Sequence, residues 1–286
     1  MLKLAGAHPN VVTMQAFFED KEAYYIVMDL CQGGELYHRL ADKGRYSEGQ
    51  AARIMAEVAE AVGYLHNNGI VHFDLKPENI MLAVGDDCVP EVRLADFGSA
   101  FRQHRPLSGA KDCTVAYSAP EVLACQDVDE KVDMWALGVV MWVLLTGRHP
   151  FDTDVDMSEE EVAYRVTHEE PDLRSRGIRH VSPEGKDLVR RLLAKDPEDR
   201  PSARQMLAHP WLRAVRSRNR RPLRQAAGHG AIASRTAAMP VTAAGDSGAK
   251  SAAPIRPARQ GVAEAAAGAA AAAAVASVTG GGAFST

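Results

Sequence analysis

The stretch Val71-His72-Phe73-Asp74-Leu75-Lys76-Pro77-Glu78-Asn79-Ile80-Met81-Leu82 constrains this chain most. It sets an acid, a base and an amide (Asp74, Lys76, Asn79) close together and flanks them with apolar residues. Pro77 forbids a continuous helix through it. A short polar loop fixed between buried segments is a good place for chemistry. The same residue types also populate ordinary turns, so the loop alone does not decide between the two.

What lies around the loop is globular up to Leu212, with mixed charge and frequent apolar periodicity. One domain of about 210 residues is expected, ample for a hydrophobic core. From Arg213 the chain turns Arg-rich, then Ala/Gly/Pro/Ser-rich, and is expected to be disordered to Thr286. The formal net charge of −4 hides an asymmetry. Residues 213–286 hold ten Lys/Arg against two acids (Asp246, Glu264), +8, and the remainder holds 23 against 35, −12. An acidic body with a basic tail suggests contact between the two, or a body that receives basic partners; a solvated acidic surface accounts for most of these charges equally well.

Cys31, Cys88, Cys113 and Cys125 lack metal-type spacing and read as reduced thiols of a cytosol-like compartment. The N-terminal residues contain no signal-peptide core. The most apolar run, Met134–Thr146, is too short to span a bilayer and long enough for a buried helix. Neither a membrane nor a nucleic-acid partner is expected.

In chain order, Leu2 and Leu4 read as the last turn of a helix ended by Gly6, with Pro9 beyond. Val11–Phe18 and Ala23–Leu30 read as strands. A connector over residues 31–34 leads to a short helix near Glu35–Lys43. Residues 47–68 form an amphipathic helix capped by Ser47. Ile80–Leu82 and Val92–Ala95 pair around a Gly85-Asp86-Asp87 turn. Residues 99–118 have no periodicity, as a functional or mobile segment would. Helices follow at 119–124, 132–146, 158–167, 183–194 and 202–212, with Ser182 and Ser202 as caps. Few strands early and many helices late make an α+β pattern.

Three elements now stand in order: His72-Phe73-Asp74-Leu75-Lys76-Pro77-Glu78-Asn79, Asp96-Phe97-Gly98 and Ala119-Pro120-Glu121. Together they resemble the protein-kinase signature. The resemblance covers roughly residues 1–212 and implies a nearly complete helical large lobe (31–212), with only a remnant of the small β lobe (1–30). It implies the following roles. Asp74 orients the substrate hydroxyl and accepts its proton. Lys76 neutralises charge on the transferring phosphoryl group, and Thr114 touches both. Asn79 and Asp96 hold Mg2+, a hard cation that takes oxygen ligands. Lys76, two positions after Asp74, is similar to the serine/threonine class. Asp133 braces the loop, and Arg200 pairs with Glu121.

The cofactor is then ATP with Mg2+. Met28 matches the gatekeeper, Asp29 and Cys31 the hinge whose backbone bonds adenine, and Met81 the floor of that pocket; Met28 and Met81 are also plain core candidates. Cys31-Gln32-Gly33-Gly34-Glu35-Leu36-Tyr37 and His209-Pro210-Trp211 resemble the calcium/calmodulin-dependent group. Glu35 and Glu78 complete the binding set. They match acids that receive Arg upstream of a target Ser/Thr, and protein substrates of that kind are the implied partners.

The resemblance also shows departures. No Gly-rich loop, strand Lys or helix Glu precedes the first strand at Val11, so a truncated sequence with weak ATP binding is expected; a pseudokinase or interaction module with little catalysis is the alternative. Phe73 stands where most members have Arg, which implies activity without phosphorylation in residues 99–118. Arg213–Arg224 holds six Arg in twelve residues. It reads as an autoinhibitory segment, a calmodulin site, a nuclear signal or a solvated linker. The expected location is cytoplasmic or nuclear.

Overall fold

The computed structural model describes residues 1–83, 91–103, 114–151 and 157–216, with side chains as far as Arg213. The elements are α1 (Leu2–Ala5), β1 (Met14–Glu19), β2 (Tyr24–Met28), α2 (Leu36–Lys43), α3 (Glu48–Asn67), β3 (Ile70–Val71), β4 (Ile80–Leu82), β5 (Val92–Leu94), β6 (Phe101–Arg102), α4 (Pro120–Leu123), α5 (Lys131–Thr146), α6 (Glu159–His168), α7 (Pro183–Leu192), α8 (Ala203–Ala208) and α9 (Pro210–Arg216). Among the described residues the strands pair as antiparallel couples, β1–β2, β3–β6 and β4–β5. Residues Met1–Arg220 form one compact unit. The basic run beyond Arg216, Ser108, Cys88, Cys113 and the Gly85–Asp87 turn lie outside the described residues.

The core is built on α5. Every residue from Val132 to Leu145 is buried, so this helix has no solvent face. Gly138 lets the end of α7 approach: a Cβ there would stand 2.8 Å from Leu193 Cδ2 and 2.9 Å from Leu192 Cβ. α3 lies between α5, α8 and α9. Its buried alanines (Ala51, Ala52, Ala56, Ala59, Ala61) permit close packing, while Ile54, Val58, Val62 and Leu65 fill the core. Ser47 caps it through a box with Gln50, and Ser158–Glu161 and Ser202–Gln205 repeat the device on α6 and α8. Each such cap is worth about 1 kcal/mol.

The structure departs from the sequence expectations at three places. β1 starts at Met14 because Val11 and Val12 are taken by β5: Val11 bridges Leu94, and the Val12 amide bonds the Leu94 carbonyl at 2.9 Å. β3 and β6 form a two-residue ladder too short to leave a periodic signal. The single helix expected over 202–212 is two helices. Pro210 has no N–H and pushes the residue before it out of the helical region, and His209 is extended (φ −64°, ψ 141°).

Candidate active site

The polar loop is held from below by one carboxylate. Asp133, in the first turn of α5, is fully buried. Its Oδ2 accepts the His72 N–H at 2.9 Å and lies 2.8 Å from His66 Nε2. Its Oδ1 accepts the Phe73 N–H at 2.8 Å. Burial opposes the Asp133 charge, but the His66 hydrogen bond and the neighbouring imidazoles hold its carboxyl below the usual carboxylate range. Phe73 sits at φ 69°, a left-handed conformation rare for a bulky residue. Its ring packs edge-on against Phe101 at 5.4 Å, which ties the loop to β6.

Above that brace four predicted residues converge. Thr114 Oγ1 donates to Asp74 Oδ1 at 3.2 Å and accepts from Lys76 Nζ at 3.1 Å. Lys76 Nζ also pairs with Asp74 Oδ2 at 2.9 Å. Asn79 Nδ2 donates to the Asp74 carbonyl at 2.8 Å and to its Oδ2 at 2.9 Å. Pro77 starts a 3-10 turn, Pro77–Asn79, that carries Asn79 inward, where it is buried. Among the described residues both hydrogen bonds of the Asn79 side chain run through Nδ2, and its Oδ1 makes none.

Asp96 follows at one remove. The Ala95 amide bonds the Asn79 carbonyl at 2.9 Å, so the residue after it stands beside the loop. Asp96 has φ 56° and an exposed side chain, and its Oδ1 accepts the Gly98 N–H at 3.1 Å. Phe97 turns inward against His72, ring centroids 4.9 Å apart, while His72 Nε2 lies 3.0 Å from the Ala95 carbonyl. An exposed carboxylate and a side-chain carbonyl are both hard-oxygen donors, the type that Mg2+ takes. No cluster of three His, Cys, Asp or Glu suited to a metal occurs among the described residues.

The remaining predicted residues form a second group. Residues 31–35 lie along β4: Gly33 N–H bonds the Leu82 carbonyl at 2.9 Å, Leu82 N–H bonds the Gly34 carbonyl at 2.8 Å, and Glu35 bridges Met81. A Cβ on Gly33 would come within 2.7 Å of the Leu82 carbonyl oxygen, so the strap needs glycine there. Burial pushes the Cys31 thiol up. The Asp29 carboxylate is taken by Arg93 Nη1 and Gln15 Nε2, both at 2.7 Å, and its amide bonds Thr13. Met28, at the end of β2, is exposed rather than packed in the core. Met28, Asp29 and Cys31 make no direct bond to Asp74, Lys76, Asn79 or Thr114.

Glu35 and Glu78 share one electrostatic neighbourhood. Burial pushes the Glu78 carboxyl up, its own amide and Lys76 oppose this, and Glu35 and Asp74 add to it. Glu78 Oε2 is buried and has no hydrogen-bond partner among the described residues. Among the described residues the Glu35 carboxylate pairs with His38 alone, at 3.4 Å on the surface. Tyr37 feels the same two acids: burial, then Glu78 and Glu35, raise its hydroxyl.

Glu121 and Arg200 form the buried bidentate pair that the sequence suggested, at 2.6 and 2.8 Å. The carbonyls of Lys131, Ala194 and Lys195 satisfy the rest of the guanidinium. Sequence reasoning missed His66, Arg93 and His149. His66 alone left a signal, as the basic residue in the last turn of α3 just before the loop.

A family profile, protein kinase domain, matches residues 1–212. The chain is 40% identical over 213 residues to myosin light chain kinase A of Dictyostelium discoideum, covering 74% of this chain and 71% of that protein. It is 35% identical to calcium/calmodulin-dependent protein kinase type 1 of Macrobrachium nipponense, over 72% of this chain and 58% of the relative. Against calcium/calmodulin-dependent protein kinase type IV of Homo sapiens it is 39% identical, over 72% and 43%. The chain thus spans about half the length of several of the curated relatives it matches.

Proposed function

This chain belongs to the protein kinase family, and on that premise we propose that it transfers the γ-phosphate of ATP, with Mg2+, to Ser or Thr hydroxyls of proteins. The observation that carries this reading is the bonded set around Asp74, in which Lys76, Asn79 and Thr114 all engage one carboxylate. Asp74 orients the acceptor hydroxyl and takes its proton at a carboxylate oxygen. Lys76 supplies positive charge beside that oxygen. Asn79 Oδ1 and the Asp96 carboxylate would hold the cation. When bound, Mg-ATP supplies the phosphoryl group and neutralises its developing charge. The backbone of residues 29–31 and the apolar surface of Met81 would receive adenine. Residues 1–30 act as part of the small lobe, and 31–212 as the large lobe.

Within the same reading the enzyme prefers basic substrates. Glu78, buried with an unpartnered oxygen, stands with Glu35 as a site for an Arg upstream of the target residue, where a charge-assisted pair favours guanidinium. The basic run Arg213–Arg224 is the segment we assign to contact with calmodulin or with the acidic body. No helix among the described residues is long and apolar enough to cross a membrane, and we place the protein's work in the cytoplasm or nucleus.

Phosphotransfer from labelled ATP to Ser/Thr peptides, with and without an upstream Arg, tests this. Asp74→Asn and Asp96→Asn should each lower the rate by roughly 10²-fold or more. Glu78→Gln should remove the preference for Arg peptides and leave the others unchanged. A chain that binds protein partners but transfers no phosphate would support the interaction-module reading instead.

A further inference from the structure

His149 follows α5 in the stretch Gly147-Arg148-His149-Pro150-Phe151, after Gly147 has ended the helix in a left-handed turn (φ 72°). It is 9% exposed. Its Nδ1 accepts the Phe151 N–H at 3.2 Å, and its Nε2 lies 2.7 Å from the Ala116 carbonyl oxygen. A backbone N–H can only donate and a carbonyl can only accept. The tautomer is therefore fixed: Nδ1 is bare and Nε2 carries the proton. A second proton would turn an N–H against the Phe151 N–H inside the core. Burial lowers the His149 pKa to about 4, with the Ala116 bond opposing, so the ring stays neutral at physiological pH.

The carbonyl it holds is the middle of a rigid unit. Ala116 lies in the 3-10 turn Val115–Tyr117. The Thr114 carbonyl accepts both the Tyr117 N–H at 2.9 Å and Ser118 Oγ at 3.0 Å, and the Ser118 N–H bonds Val115 at 3.1 Å. The Tyr117 ring stands edge-on to the His149 ring at 5.7 Å. One end of this unit is Thr114, whose hydroxyl joins Asp74 to Lys76. The other end runs into α4 and the Glu121–Arg200 pair. A shift of the turn would carry Thr114 away from the carboxylate.

We infer that His149 is a positioning residue for the acceptor side of the reaction: its Nε2–H anchors Ala116 and thereby sets Thr114 against Asp74 and Lys76. The inference rests on the kinase reading above. It assigns His149 to the protein substrate and not to ATP, because the turn reaches the site through Thr114 at Asp74, the group that orients the acceptor hydroxyl, whereas Asn79 leads directly into β4 and Asp96 follows β5. The two ring nitrogens also separate by substitution. A Gln side chain can place an amide N–H near the Nε2 position and keep the Ala116 bond. An Asn side chain can accept from Phe151 in place of Nδ1 but does not reach Ala116.

The test uses the full chain and four forms: native, His149→Ala, His149→Asn and His149→Gln. With Ser/Thr peptides, Ala and Asn should raise the peptide KM roughly tenfold, the size expected for a lost buried hydrogen bond. The KM for ATP should not move, and Gln should restore the peptide KM. Simple loss of folded protein would lower kcat and leave both KM values alone. Hydrogen exchange of the Tyr117 and Ser118 amides supplies a readout that needs no catalysis: protection should fall in Ala and Asn and return in Gln. Unchanged exchange and peptide KM in His149→Ala would overturn the inference and leave the kinase reading standing. A native chain that transfers no phosphate, yet shows the exchange pattern, would sink the kinase reading while the anchoring of the turn survives.

Discussion

Glu57 shows what a single residue can do to stability here. It projects from the buried side of α3, and its Oε2 accepts the Val92 N–H at 2.9 Å and Asn10 Nδ2 at 3.3 Å. Asn10 also bonds the Val92 carbonyl at 2.9 Å, so one carboxyl ties residues 8–12, α3 and β5 together. Burial pushes its pKa to about 7; the Val92 amide opposes, while Glu91 and Glu60 add to the rise. An acid whose pKa is raised by folding binds more protons folded than unfolded. Its contribution is fully present below the unfolded value and fades as pH climbs through about 7. Glu57→Gln keeps an acceptor for both donors and removes the buried charge. It should raise stability by about 2 kcal/mol at pH 8 and by little at pH 5, read from thermal melts at each pH. An equal change at both values would contradict this account. Phe73 was legible only as an odd residue at a marked position; its left-handed backbone and its contact with Phe101 come from how the loop is docked.

At the scale of elements, α5 is the reference to which the site is registered. Its first turn delivers Asp133 to the loop and the residues after its last turn deliver His149 to the 115–117 turn. Its middle must stay thin where α7 ends. Gly138→Ala would push a methyl into Leu192 and Leu193, and it should cost about 1–3 kcal/mol in urea unfolding. The m-value should not change, since the fold is kept. The apolar run that made α5 visible in the sequence is the same property that buries it on every side. The capped helices α3, α7 and α8 were visible for a local reason, a Ser followed by a periodic apolar face. The break between α8 and α9 was written locally too, in Pro210, but apolar periodicity across His209 masked it.

For the whole molecule, charge separates an acidic body from a basic C-terminal run. If Arg213–Arg224 engages the acidic body, deletion of the residues after Arg213 should raise phosphotransfer at low salt, and added salt should shrink the gain by screening. Equal rates for both chains at every ionic strength would remove that regulatory idea. The sequence by itself determined the elements and the chemistry that is local along the chain. Asp74, Lys76 and Asn79 fall within one turn and its approach, and Asp96-Phe97-Gly98 follows a strand whose apolar residues announce it. Asp133 and Thr114 were named through the family resemblance, and the tertiary structure supplied their bonds, to His72 across 61 residues and to Asp74 across 40. The tertiary structure alone decided that His149 reaches Ala116 across 33 residues and that His66 meets Asp133 across 67. Bonds of this kind depend on how finished elements dock against one another. A lone buried His has no period or spacing that could announce its partner.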